Sequence, residues 1–206
     1  MPLIYNQYEH TYRVALWALT EPLSFFEDKV QLSQTEKKTY QQINNECRKK
    51  EWLAVRLLLW ETLGFWPSIV YAESGKPILQ NHSRHLSISH AKTMVGILLC
   101  TNPYAGIDIE PTNRNIEKVA KRFLSEQELS DIETTKLPNS QILYWCAKEA
   151  IFKAVNENNI SFSKQIHVKK VLPEGKAQAT FVTENKTMNF ELKHIELDNH
   201  LIVWTT

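Results

Sequence analysis

Thr101-Asn-Pro-Tyr-Ala-Gly-Ile-Asp-Ile-Glu110 is where the 206-residue chain divides. Thr101-Asn102-Pro103 has the chemistry of a turn and closes one run of strands. Tyr104 to Glu110 then reads as a new strand, in which Asp108 and Glu110 alternate with Ile107 and Ile109. Outward from this stretch the same order recurs on both sides. Upstream, Tyr12 to Leu19 reads as a strand and Leu23 to Val30 as a short helix. Ser33-Gln-Thr-Glu36 has the spacing of a capping box and opens a long helical stretch. Its second part carries Trp52, Val55, Leu58, Leu59 and Leu63 at helical spacing, with Gly64 and Pro67 placed to stop it. Short strands follow at Ile69 to Ala72, His85 to Ser89 and Met94 to Cys100.

Downstream, Pro111 and Asn113 break the acidic strand and Ile116 to Phe123 looks helical. Ser125-Glu-Gln-Glu128 is a second capping box, and Asn139/Ser140 caps a helix with the apolar stripe Leu143, Ala147, Ala150 and Ala154. Strands return at Gln165 to Leu172, Ala177 to Thr183, Thr187 to Leu197 and Leu201 to Thr205, separated by turns such as Pro173-Glu-Gly175. The expected fold is α+β: two similar halves, 1–103 and 104–206, each a small antiparallel sheet packed against a long helix and each of ordinary domain size.

The 43% hydrophobic content suffices for a buried core, and the net charge of +1 gives no global field toward nucleic acid or a membrane. Locally, Lys37, Lys38, Arg48, Lys49, Lys50 and Arg56 outnumber Glu46 and Glu51 by four charges. Three widely spaced cysteines argue against a disulfide framework and a structural zinc site. The N-terminus lacks the pattern of a signal peptide, and no apolar run approaches membrane-spanning length, so a soluble, cytoplasmic protein is expected. With only five glycines and no Gly-x-Ser-x-Gly, neither a P-loop nor a serine-hydrolase elbow is present. Trp52, Trp60, Phe65 and Trp66 lie beside basic residues, but their helical spacing favours core packing over nucleic-acid stacking.

Asp108 and Glu110 are two apart on a strand, so both carboxylates leave one face, where a hard cation fits; the bland alternative is the solvated face of an edge strand. Glu149 and Lys153, four apart within Trp145-Cys-Ala-Lys-Glu-Ala-Ile-Phe-Lys153, share a helix face, as in any exposed salt pair. Ser89-His90 sits just past a strand end, where side chains reach ligands. Lys76 lies on the tight turn Gly75-Lys-Pro77 and suits a phosphate contact or a plain surface turn equally. Three carboxylates with lysines nearby are what magnesium-dependent phosphoryl chemistry requires.

Taken together, Gly106-Ile-Asp-Ile-Glu-Pro111, Arg122-Phe123 leading to Glu126 and Glu128, and the Trp145–Lys153 run resemble the signature of the 4′-phosphopantetheinyl transferase superfamily. Gly75-Lys76-Pro77 and Ser-Ile-Ser89-His90 are similar to features of its Sfp-type branch, and the likeness covers roughly residues 33 to 155. Cys146 departs from the Ser that many relatives carry. The resemblance implies a monomeric pseudo-dimer that moves the phosphopantetheine arm of coenzyme A onto a serine of an apo acyl or peptidyl carrier protein, releasing adenosine 3′,5′-bisphosphate. It implies Mg²⁺ on Asp108, Glu110 and Glu149, with Glu149, directly or through bound water, as the base. Lys153 and His90 would stabilise the pyrophosphate; Lys76, Arg48 and Arg56 would hold the 3′-phosphate end, with Ser89 beside His90 also assigned to coenzyme A. The competing readings are a non-catalytic coenzyme A- or carrier-binding module of the same fold, and a magnesium-dependent phosphohydrolase on another fold.

Overall fold

Tyr12-Arg-Val-Ala-Leu-Trp-Ala18 is apolar on both faces except at Arg13, the pattern of a strand inside a covered sheet. In the computed structural model, which describes residues 2–135, 137–172 and 174–206, it pairs on both sides. The chain divides into two compact units, Met1–Thr101 and Asn102–Thr206.

In the first unit β1 (Leu3–Tyr8) and β2 (Tyr12–Ala18) form a hairpin, followed by α1 (Leu23–Lys29), α2 (Gln34–Gln41) and α3 (Glu46–Leu63). A two-stranded ribbon, β3 (Ile69–Tyr71) and β4 (Pro77–Leu79), then leads to β5 (His85–Ala91) and β6 (Met94–Cys100). The main sheet is antiparallel in the order β1-β2-β6-β5. Leu53, Leu57 and Leu58 of α3 pack with Trp17, Phe26, Val95 and Ile97 to form its core. β1 was not expected: Leu3-Ile-Tyr-Asn-Gln-Tyr8 lies at the sheet edge and is only half-buried, so it lacks a clean alternation.

The helical stretch from Ser33 to Leu63 is two helices. Ser33 and Glu36 complete the expected capping box at α2, the Glu36 backbone N–H donating to Ser33 Oγ at 3.3 Å and the Ser33 backbone N–H to Glu36 Oε2 at 3.1 Å. The break at Asn44-Asn45 restarts the chain, Asn45 Oδ1 accepting from the Arg48 backbone N–H at 2.9 Å as a second N-cap. Gly64, at φ +78°, ends α3 in the left-handed region as anticipated. Trp52 enters the core, whereas Trp60 and Phe65 stay at the surface, where Trp60 stacks on Trp66.

The second unit runs β7 (Ile107–Pro111), α4 (Glu117–Phe123), α5 (Glu126–Thr135), α6 (Ser140–Val155), a single turn α7 (Phe162–Gln165), and then β8 (Ile166–Leu172), β9 (Lys176–Val182), β10 (Thr187–Leu197) and β11 (His200–Thr205). Its five strands order β7-β11-β10-β9-β8, all antiparallel. The expected stripe Leu143, Ala147, Ala150 and Ala154 is buried against this sheet. Asn139 precedes α6 at φ +56° with no side-chain cap; its amide donates instead to Glu196. Pro173, part of the expected Pro-Glu-Gly turn, lies outside the described residues.

Both units are therefore α+β with antiparallel sheets, and in each the first long strand beside the helices pairs with the last strand of the unit, β2 with β6 and β7 with β11. Among the described residues no helix is long and apolar enough to cross a membrane.

Candidate active site

Gly106 sets the distance between β7 and α6. A Cβ there would lie 1.9 Å from the Ala150 carbonyl oxygen and 3.1 Å from Ala154 Cβ, so only glycine lets the strand enter this close to the helix. The small stripe of α6 and this glycine together press β7 onto the helix. The acidic residues of one element are thereby carried beside the charged residues of the other.

β7 is an edge strand, yet Asp108 is 5% exposed, which removes the solvated-face reading for it. Lys153 Nζ donates to Asp108 Oδ1 at 2.8 Å and to the Ile107 carbonyl at 2.9 Å. The sequence pairs Lys153 with Glu149; the ammonium instead crosses from α6 to β7 and supplies the counter-charge that the buried Asp108 carboxylate needs. Glu149 is left in an acidic field. Burial first, and then the Asp108 carboxylate, push its pKa up to about 7, with Lys153 and Arg114 pulling the other way and Glu110 adding to the rise.

Glu110 is held from the other side. Its Oε1 accepts from Trp145 Nε1–H at 2.9 Å and from Arg114 Nη1, and the Arg114 guanidinium lies over the Trp145 ring, 5.2 Å from its centroid. Arg114 escaped the sequence reading; the signal was its position four residues after Glu110, across the Pro111 turn.

Among the described residues no three His, Cys, Asp or Glu side chains stand gathered as a metal-holding group. The donor set nonetheless suits a hard divalent cation: three carboxylates on two tightly apposed elements, close enough for the charge of two to raise the pKa of the third.

A second ion pair lies behind this face of α6. Lys148 is fully buried and donates to Glu128 Oε2 at 2.7 Å, the Ile166 carbonyl at 2.6 Å and the Phe162 carbonyl at 3.0 Å. Glu128, beyond its capping-box role with Ser125, also accepts from the Val168 backbone N–H at 2.8 Å. One carboxylate and one ammonium thus tie α5, α6, α7 and β8 together.

In the first unit, His90 lies within β5, paired with Val95, and not beyond the strand end. Its Nδ1 is 3.2 Å from Glu51 Oε2, which Arg48 Nη1 also meets at 3.0 Å, and Arg48 contacts the other ring nitrogen. Ser89 is buried beside it in the strand. Arg56 is 4% exposed; its Nε donates to Glu36 Oε1 at 2.9 Å, its Nη1 to the Trp52 carbonyl, and its guanidinium lies against the Trp52 ring. It staples α2 to α3. Arg48, Glu51, Arg56, Tyr71 and His90 still line one small recess of about 30 Å³. Lys76, on the turn between β3 and β4, is half-buried, and desolvation lowers its pKa. The basic strip is therefore less charged outward than its sequence suggests, with Lys37 and Lys38 remaining exposed on α2.

Residues 104–204 match the 4′-phosphopantetheinyl transferase superfamily, the family labelled ACPS. The chain is also similar to the 4′-phosphopantetheinyl transferase AcpT of Salmonella typhimurium, 32% identical over 113 residues that cover 52% of this chain and 58% of that protein. AcpT of Escherichia coli K12 is likewise 32% identical over 113 residues, covering 52% of this chain and 57% of that protein. The chain spans little more than half the length of these curated relatives in the matched region. The matched span contains Asp108, Glu110, Glu149 and Lys153.

Proposed function

We propose that this chain transfers the 4′-phosphopantetheine arm of coenzyme A to a serine of an apo carrier protein, as an Sfp-type monomer in which the two units repeat one fold. The observation that carries the reading is the meeting of Asp108 and Glu110 on β7 with Glu149 and Lys153 on α6, inside the span that matches the superfamily. A divalent cation, Mg²⁺ in this reading, held by Asp108, Glu110 and Glu149 would neutralise the pyrophosphate of coenzyme A.

The chain's own groups account for the remaining steps. Lys153 donates its ammonium to Asp108 on β7 and would extend it to a pyrophosphate oxygen. Glu149, directly or through bound water, would take the proton from the carrier serine. The serine oxygen then forms a bond to the phosphorus of the phosphopantetheine phosphate, and the bond from that phosphorus to the bridging oxygen breaks. Adenosine 3′,5′-bisphosphate leaves with the electron pair, and the proton stays on Glu149. Arg48, His90, Ser89 and Lys76 would receive the nucleotide phosphates. Arg56, held to Glu36, supports that group from inside the recess.

A non-catalytic binding module of the same fold would retain the basic recess without needing the acidic set. The test is release of adenosine 3′,5′-bisphosphate from coenzyme A, followed chromatographically. Release that requires both apo carrier and Mg²⁺ supports transfer. Release without carrier indicates a hydrolase, and binding without release indicates the module.

A further inference from the structure

Trp145 and Arg114 converge on one oxygen of Glu110. Trp145 Nε1–H and Arg114 Nη1 both donate to Oε1, and among the described residues no hydrogen bond reaches Oε2. The indole is itself fixed. Its ring meets Phe123 edge-on at 5.0 Å and Phe162 at 5.9 Å, and it supports the Arg114 guanidinium on its face. The Glu110 side chain is 13% exposed and that of Arg114 41% exposed, so the clamp closes on the carboxylate from the solvent side.

A glutamate carboxylate on an edge strand is set by three rotatable side-chain bonds, and ordering it costs conformational entropy at the moment of ligand binding. Two donors on one oxygen remove that freedom beforehand and single out the other oxygen as the ligand. Outer partners of metal-binding carboxylates act in this way, orienting the ligand and tuning its affinity. The Trp145 contact adds no charge, which makes it an orienting contact and not an electrostatic one.

We propose that Trp145 and Arg114 are positioning residues for Glu110, holding Oε1 so that Oε2 is presented to a divalent cation. This rests on the reading of Asp108, Glu110 and Glu149 as a cation site but not on the transfer reaction. Its test is therefore made on the protein alone, with neither coenzyme A nor carrier.

Mn²⁺ is titrated into the protein and free Mn²⁺ is read by electron paramagnetic resonance. Trp145→Phe keeps the ring and removes the N–H donor; Arg114→Lys keeps the charge and removes the planar fork. Both are expected to raise the Kd for Mn²⁺, Trp145→Phe by about tenfold, the lower end of what loss of an outer-shell partner costs, and Arg114→Lys by less. Unfolding midpoints are measured alongside. Should Trp145→Phe disturb the Phe123–Phe162 packing, the more exposed Arg114→Lys decides the matter by itself. An unchanged Kd overturns the proposal, and so does a wild type that takes up no Mn²⁺. Tighter binding also overturns it, because Arg114 would then compete with the cation for Glu110. If the clamp passes this test and carrier modification fails, the function proposed above falls while the positioning role stands.

Discussion

Two lysines five residues apart on α6 do different work. Lys148 is fully buried and saturated, with one carboxylate and two carbonyls at hydrogen-bond distance. The Lys153 side chain is 29% exposed and donates to Asp108 and to the Ile107 carbonyl. A buried ammonium with three acceptors has nothing left to offer a ligand, and its position is dictated by the elements it joins. An ammonium that keeps one side toward solvent can extend to an incoming phosphate while still holding a carboxylate. Burial therefore separates the lysine that builds the second unit from the lysine assigned to the chemistry.

The largest expected effect lies on the structural side. Lys148→Met leaves Glu128 charged and buried beside an apolar chain, and should cost about 3–5 kcal/mol of stability, the usual penalty for breaking a buried pair. Urea unfolding measures it. If Glu128→Gln is added, part of that loss should return, and a double variant no better than the single would show that the pair is not the source.

Lys153→Met reverses the pattern. It should lower transfer by about 100-fold, comparable to removal of one preorganised electrostatic donor, and should cost less stability than Lys148→Met, because water reaches the Lys153 end of the pair and can partly replace the ammonium beside Asp108. A variant that unfolds like Lys148→Met, or transfers like wild type, would erase the distinction between the two lysines.

Glu149 sharpens the comparison through pH. Its folded pKa, near 7, is raised above the unperturbed carboxylate value of about 4.3. Protonation therefore favours the fold: without divalent cation, this group's contribution to stability is full below about pH 4 and is lost as pH rises through about 7. A cation takes the deprotonated form, so Mn²⁺ affinity should climb by up to tenfold per pH unit below about 7 and level off above it. In Glu149→Gln that slope should shrink, and an identical slope would assign the titration to another group.

How far all this could be read beforehand depended on whether the signal was local. The two capping boxes, the Gly64 stop and the apolar stripe of α6 are local patterns, and each stands where the sequence placed it. β1 was missed because an edge strand need not alternate. The break at Asn44-Asn45 was missed because Asn suits a cap as well as a helix surface. The acidic residues and Lys153 were visible as a motif, but their partners were not. The exchange of Glu149 for Asp108 as the partner of Lys153, and the Glu128–Lys148 tie across 20 residues, depend on which carboxylate the packing buries. Arg56 illustrates the same limit: a basic residue in a basic strip, turned inward to Glu36.

The smaller effects belong to the first unit, where cations are partly paid for by internal anions such as Glu51. Lys76→Ala should raise the KM for coenzyme A more than it lowers kcat, and should weaken discrimination against dephospho-coenzyme A; unchanged discrimination would remove Lys76 from the 3′-phosphate end. Reversing the exposed Lys37 and Lys38 to Glu should raise the KM for an acidic carrier severalfold at low salt and flatten its salt dependence, with that for coenzyme A nearly constant. Carrier kinetics that do not move would place the docking surface elsewhere.

The central claim is that the charged groups joining β7 to α6 transfer phosphopantetheine, and weighing the carrier tests it most directly. Apo carrier protein is incubated with coenzyme A and Mg²⁺ in the presence of wild type or of Asp108→Ala, and its intact mass is recorded. The account predicts that wild type adds one phosphopantetheine to the carrier serine and that Asp108→Ala, still folded by circular dichroism, adds none. A carrier left at its apo mass by wild type, or modified equally fast by Asp108→Ala, would contradict it.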